Sequence, residues 1–82
     1  MNIYTASFSS RCPVNDAMIW YTLRIETERR LMVEAIQAQL ENIKPGFHED
    51  IADEMLVKFG GYQIITAIHH GVQIETRRCE SK

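Results

Sequence analysis

Cysteine is scarce in this chain: Cys12 and Cys79 are the only two among 82 residues, and they form no CxxC pair. A disulfide framework is thereby excluded, and a reduced, cytoplasmic protein is expected. With two prolines and four glycines, no repeat or low-complexity segment appears, and the whole chain reads as one domain. No apolar run approaches the roughly 20 residues of a membrane span, and no signal-peptide pattern opens the chain, so a soluble protein without a membrane partner is expected. Net charge is small as well. Nine basic against eleven acidic residues leave −2 and a pI near 5.9, which argues against a protein held on nucleic acid chiefly by its charge. Local docking of a nucleic acid stays open. A chain this short buries only about 60% of its unfolded surface, so oligomerisation is a natural way to gain core.

What the chain does have is ordinary hydrophobic content, 45%, laid out in two periods. From Asn2 to Ser10, Tyr4, Ala6 and Phe8 alternate with Ile3, Thr5, Ser7 and Ser9. From Met18 to Thr27, Ile19, Tyr21, Leu23 and Ile25 oppose Trp20, Thr22, Arg24 and Glu26. Both runs read as strands. Pro13, Asn15 and Asp16 supply turn chemistry between them, so the two form an antiparallel hairpin with a wide connection, Arg11 to Ala17. Glu28-Arg29-Arg30 is a solvated exit rather than a nucleic-acid patch. Leu31-Met32-Val33 leads into a first helix with Ile36, Leu40 and Ile43 inside and Gln37, Gln39 and Glu41 outside; Asn42 to Gly46 ends it, since Pro45 cannot continue the ladder.

The stretch from Gly46 to Phe59 makes a second helix. At about 100° per residue, Phe47, Ile51, Ala52, Met55, Leu56 and Phe59 gather on one face. Asp50, Asp53, Glu54 and Lys58 point away. Gly60-Gly61 stops the helix, and Lys58 suits its negative end. Tyr62 to Ile68 is again strand-like. His69-His70-Gly71 reads as a tight turn, Val72, Ile74 and Thr76 form one face of a last strand, and the polar tail from Arg77 to Lys82 is expected to fray. Strand, strand, helix, helix, strand, strand makes the fold α+β with an antiparallel sheet.

One residue of the second helix stands out. Glu49 and Asp50 suit the positive end of the helix dipole, but His48 falls inside the apolar face, where it is either a packed, hydrogen-bonded histidine or a functional one. Trp20, Tyr21 and Phe47 are core or interface packing first and purine-stacking candidates second. Cys12 taken alone is an inert buried thiol or a nucleophile.

Cys12-Pro13-Val14 at the end of the first strand, Val33-Glu34 at the first helix, Phe47-His48-Glu49 at the second, and the final hairpin Ile68-His69-His70-Gly71-Val72-Gln73-Ile74-Glu75 together resemble the tunnelling fold (T-fold). Within it they are similar to the 7-cyano-7-deazaguanine reductases and their shorter QueF-like amidinotransferase relatives. The resemblance spans residues 3–76. It implies a ββααββ subunit, two helices on one face of a four-stranded sheet, with sheets joining into an oligomeric barrel and sites at subunit interfaces. Carried over, Glu49 anchors the amino and imino edge of a purine-like ring, His48 is its neighbour, and Phe47, Glu34 and His70 lie by the substrate. Cys12 attacks the nitrile carbon and forms a covalent thioimide. The residue types agree: a carboxylate accepts two N–H bonds in bidentate fashion, and a nitrile suits a thiolate. Arg11, His48 or His70 are candidates for lowering the thiol pKa.

The chain also departs from the reductases. Ile19 stands where they carry an aspartate, with Asp16 the nearest substitute. Ala35-Ile36-Gln37 follow Glu34 in place of the reductase cofactor motif, and His70 with the single Gly71 replaces a basic residue and glycine pair. The resemblance therefore implies amidine formation with ammonia rather than reduction by NADPH, and no cofactor. Other T-fold enzymes bind zinc through three histidines, but on different elements from His48, His69 and His70, so no metal is expected. Two classes stay open: a QueF-like enzyme acting on the deazaguanine nitrile, as free base or as a modified nucleoside in tRNA or DNA, and a non-catalytic T-fold module binding or sequestering a purine, pterin or nucleotide. In both, a homo-oligomer is expected.

Overall fold

A computed structural model describes residues 1–80. The order is β1 (Asn2–Arg11), β2 (Met18–Thr27), α1 (Val33–Glu41), α2 (His48–Phe59), β3 (Tyr62–His69) and β4 (Val72–Cys79). The strands form one open sheet in the order β1-β2-β3-β4, every neighbouring pair antiparallel. The fold is thus α+β, ββααββ, as the two periodicities predict.

Register decides which side chains face inward. Phe8 pairs with Tyr21 and Tyr4 with Ile25; Leu23 pairs with Ile65 and Tyr21 with Ala67. These rows make one apolar face, and Ile36 and Leu40 of α1 join Ile51, Ala52 and Met55 of α2 in the single core that covers it. Leu23, Ile25, Met55 and Ile65 are essentially sealed from water, each contributing about 1.5–3 kcal/mol of burial. Phe8 stacks on Tyr21 with ring centroids 4.9 Å apart. The one fully buried polar side chain of that core face is Gln63, whose amide donates to the Met55 carbonyl at 3.0 Å and the Gly60 carbonyl at 2.8 Å, so the end of α2 is sewn to the start of β3.

Three boundaries differ from the sequence reading. Phe47, expected on the apolar face of the second helix, precedes the helix in an extended conformation and is 55% exposed, because helical periodicity does not apply to a residue outside the helix. His69, expected in the turn, is the last residue of β3, opposite Val72. The fraying expected from Arg77 onward does not begin there: Arg77, Arg78 and Cys79 continue β4 against β3, and Arg78 reaches Asp53 of α2 at 2.7 Å. The last two residues of that tail, 81–82, lie outside the described residues.

The other face of the sheet carries no helix. Ile3, Met18, Trp20 and Ile68 are exposed there, and β1 and β4 are both open edges. Among the described residues, no helix is long and apolar enough to cross a membrane.

Candidate functional site

Three segment ends meet at one end of the sheet. The connection after β1 begins at Cys12 and folds back on itself: the Cys12 amide donates to the Ala17 carbonyl and the Asp16 amide to the Cys12 carbonyl, both at 2.9 Å. The Asn15 side chain accepts from the Ala17 amide at 3.0 Å, and Asp16 takes the left-handed conformation at φ 60° that Asp tolerates better than most residues. This closed loop turns Cys12 inward, and Cys12 is only 5% exposed. Opposite it, α2 begins at His48. From below, the inward parity of β3 that buries Gln63, Ile65 and Ala67 carries on to His69.

Cys12, Pro13, Phe47, His48, Ala67 and His69 line a small cavity of about 40 Å³, with Ile19 and Tyr21 in its wall. Its chemistry follows from His48. The ring Nε2 lies 3.2 Å from the Ile65 carbonyl oxygen; a carbonyl only accepts, so Nε2 carries the proton and Nδ1 keeps its lone pair. Nδ1 is buried without a partner in the protein. Burial holds the imidazole pKa below its ordinary value; Arg78 acts in the same sense, while the Ile65 carbonyl and Glu49 oppose it. His48 is therefore a neutral imidazole at pH 7, its tautomer set by a backbone carbonyl, with its basic nitrogen inward. The cavity thus places a buried thiol and a neutral imidazole in one wall without a hydrogen bond between them. Tyr21 packs against His48, ring centroids 5.4 Å apart, and burial, with the nearby Cys12 sulfur, pushes its phenol up, so it stays protonated.

The other candidates lie outside this cavity. Glu49 is exposed on the first turn of α2, and Glu34 is exposed on the first turn of α1. Asp16 is exposed and faces Arg11 at 3.7 Å; its visible work is to shape the loop that holds Cys12. His70 is exposed at φ 52°, with Nε2 3.0 Å from the Asn15 side-chain amide, so it ties the β3–β4 turn to the Cys12 loop. Tyr21 and His69 also line the cavity, although the sequence gives neither a part in the chemistry of Cys12. Strand alternation from Gln63 onward is the signal that places His69 inside. Among the described residues, no group of three or more His, Cys, Asp or Glu side chains is placed to hold a metal ion. Comparison with models of known families, with curated proteins and with solved structures gave no match to this chain.

Proposed function

We propose that the chain is a T-fold subunit of the QueF-like kind, acting on the nitrile of 7-cyano-7-deazaguanine, free or within tRNA or DNA, and converting it with ammonia to the amidine. The observation that carries this reading is the convergence of Cys12, Phe47 and His48 on one cavity, since these residues come from the two motif segments that bear the resemblance. In the first step His48 Nδ1 takes the Cys12 thiol proton, the thiolate sulfur bonds to the nitrile carbon, and a C≡N π pair moves to nitrogen, which is protonated to give the thioimide. Ammonia then adds to that carbon; collapse expels the Cys12 thiolate, which recovers its proton and leaves the amidine. No redox cofactor takes part. NADPH reduction is disfavoured by Ala35-Ile36-Gln37 after Glu34.

A cavity of about 40 Å³ suits a slim nitrile and excludes a bicyclic ring, which would rest outside against the half-exposed Phe47, with the Glu49 carboxylate facing its N–H edge. Such a ring would need covering. Two open strand edges and an exposed apolar patch at Met18, Trp20 and Ile68 support a homo-oligomeric barrel whose neighbouring subunit closes each site. The near-complete burial of Cys12 favours a second reading, reversible binding of a purine, pterin or nucleotide without catalysis.

Intact mass after mixing with the nitrile separates the two. The enzyme gains one ligand mass per reactive subunit, Cys12→Ala and denatured protein gain none, and ammonia, not NADPH, discharges the adduct. Reversible binding without an adduct, equally strong in Cys12→Ala, overturns the enzyme reading.

A further inference from the structure

We propose that Asn15 and His70 form a pH-sensitive latch on the loop that carries Cys12, holding the thiol buried while His70 is neutral and letting the loop part when His70 takes a proton. The latch rests on its own geometry, whatever the thiol acts on. Cys12 and Pro13 of the loop belong to the wall of the small cavity, and Cys12 is only 5% exposed. Anything larger than a slim group therefore reaches the sulfur only if the loop moves. Among the described residues, the loop makes a single hydrogen bond outside the β1–β2 hairpin, and it joins Asn15 to His70 at 3.0 Å. The other bonds of the loop are internal or come from Arg11.

The direction of that bond decides the state of His70. Asn15 Oδ1 accepts from the Ala17 amide at 3.0 Å, so Asn15 turns its Nδ2 toward the imidazole. An amide nitrogen donates and does not accept. His70 Nε2 is therefore the bare nitrogen of a neutral ring, with the proton on Nδ1. A second proton would set N–H against N–H and abolish the bond. The backbone on both sides is consistent with a contact held on purpose. His70 and Gly71 lie at φ 52° and 77° between His69 and Val72, which pair across the hairpin. Two positive φ values in a two-residue turn suit Asn or Gly at the first position, and a histidine there carries a steric cost. Asp16, beside Asn15, is left-handed too, at φ 60°. Strain of this kind persists where neighbouring contacts hold it, and it clusters in switch regions. His69 faces His70 from β3, ring centroids 4.4 Å apart. In the loop, Asp16 is paired with Arg11 at 3.7 Å, and Cys12 lies behind with Tyr21 and His48 in the cavity wall. β4 opens with Val72-Gln73-Ile74, which carries no charge.

Hydrogen exchange followed by NMR reads the latch. The Cys12, Asp16 and Ala17 amides are bonded within the loop. Their protection, corrected for intrinsic exchange, is compared at about pH 5 and about pH 8, the span over which histidine changes charge. Loss of one hydrogen bond changes an opening equilibrium about 3–10-fold, so protection in the unsubstituted chain should fall about 3–10-fold on acidification. His70→Gln offers an uncharged acceptor at both values and should keep its protection, while His70→Ala should be low at both. Asn15→Asp still accepts from Ala17 but turns a carboxylate oxygen to the ring, to which an imidazolium donates, so its protection should not fall. No fall in the unsubstituted chain, or a fall of the same size in His70→Gln or Asn15→Asp, overturns the proposal. Access to the thiol is read at one pH. In a Cys79→Ser background, iodoacetamide should alkylate Cys12 about 3–10-fold faster in His70→Ala than in its parent, and at the parental rate in His70→Gln. Equal rates for His70→Ala and its parent overturn the proposal as well.

Discussion

Gly61 joins α2 to β3, and replacing it with alanine should destabilise the protein far more than the same change at Gly71. Both residues have left-handed backbones, φ 73° and 77°, so an added Cβ costs about 1–2 kcal/mol at either site. Reduced freedom of the unfolded chain offsets about 0.4–1 kcal/mol of that. Their surroundings differ. A Cβ on Gly71 meets nothing within 4 Å, whereas one on Gly61 would stand 2.6 Å from the Glu26 carbonyl oxygen. Glu26 pairs with Tyr62 in the ladder, and the Gly61 carbonyl accepts from the Glu80 amide at 3.0 Å, so the backbone can yield only by losing sheet hydrogen bonds. Forced overpacking of this kind adds about 1–3 kcal/mol. The expected losses are about 0–1.6 kcal/mol for Gly71→Ala and about 1–4.6 kcal/mol for Gly61→Ala, a difference of about 1–3 kcal/mol. Urea unfolding followed by circular dichroism at one fixed protein concentration measures both, and with a slope of about 1–3 kcal/mol per molar the difference is well resolved. Equal midpoints for the two variants would refute the argument, because backbone approach is the only term that separates them.

Two further outcomes follow from the site. Glu49→Gln should weaken binding of a purine-type ligand by about 2–4 kcal/mol while leaving the urea midpoint in place, since an exposed acceptor becomes in part a donor facing ligand N–H groups; unchanged calorimetric affinity would reduce Glu49 to a dipole-matching surface residue. His48 should also make stability depend on pH. Its pKa is depressed in the fold and ordinary, about 6.5, in the unfolded chain. On acidification the unfolded chain therefore binds the proton first. The contribution of neutral His48 is complete above about pH 6.5 and is lost as pH falls through the folded value. Urea midpoints on either side of that window should fall more steeply for the parent than for His48→Gln, and parallel slopes would count against the buried neutral imidazole.

Much of the fold is legible in the sequence because its signals are local. Alternation from Tyr4 to Phe8 and from Ile19 to Ile25 predicts the inward rows that the ladder pairs, and the 3.6-residue spacing of Ile51, Met55 and Phe59 predicts the buried side of α2. The misreadings sit where local pattern stops governing. Phe47 looks like the first apolar residue of a helix but adopts an extended conformation, and no side-chain cap marks that start. Arg77 and Arg78 look like a solvated tail, yet strand pairing and the Asp53 carboxylate hold Arg78 in place. The site is a matter of topology. No spacing in the chain says that Cys12, His48 and His69 share a cavity, because the ends of β1, α2 and β3 meet only once the sheet is ordered. His69 was hidden further by its place beside His70-Gly71, where a turn reading masks the last residue of an alternating strand.

The side-chain hydrogen bonds that join helices to sheet have a mechanical consequence. α2 is held by β3 at both ends: His48 donates to Ile65, and Gln63 donates to Met55 and Gly60. The α1 segment is held by β1 instead, through the Tyr4 hydroxyl, which accepts from the Leu31 amide, and the Ser10 hydroxyl, which donates to the Lys44 carbonyl. Each helix therefore belongs to its own strand, and a seam runs between the two helices, crossed by apolar packing. Parting that seam would break none of these tethers. The sheet beneath does not divide there, because β2 pairs with both β1 and β3 and the Asn15–His70 contact joins the Cys12 loop to the β3–β4 turn. Native-state hydrogen exchange should therefore show the α1 segment, pinned only at its flanks, opening ahead of α2 and the strands, while Cys12, His48 and His69 stay together.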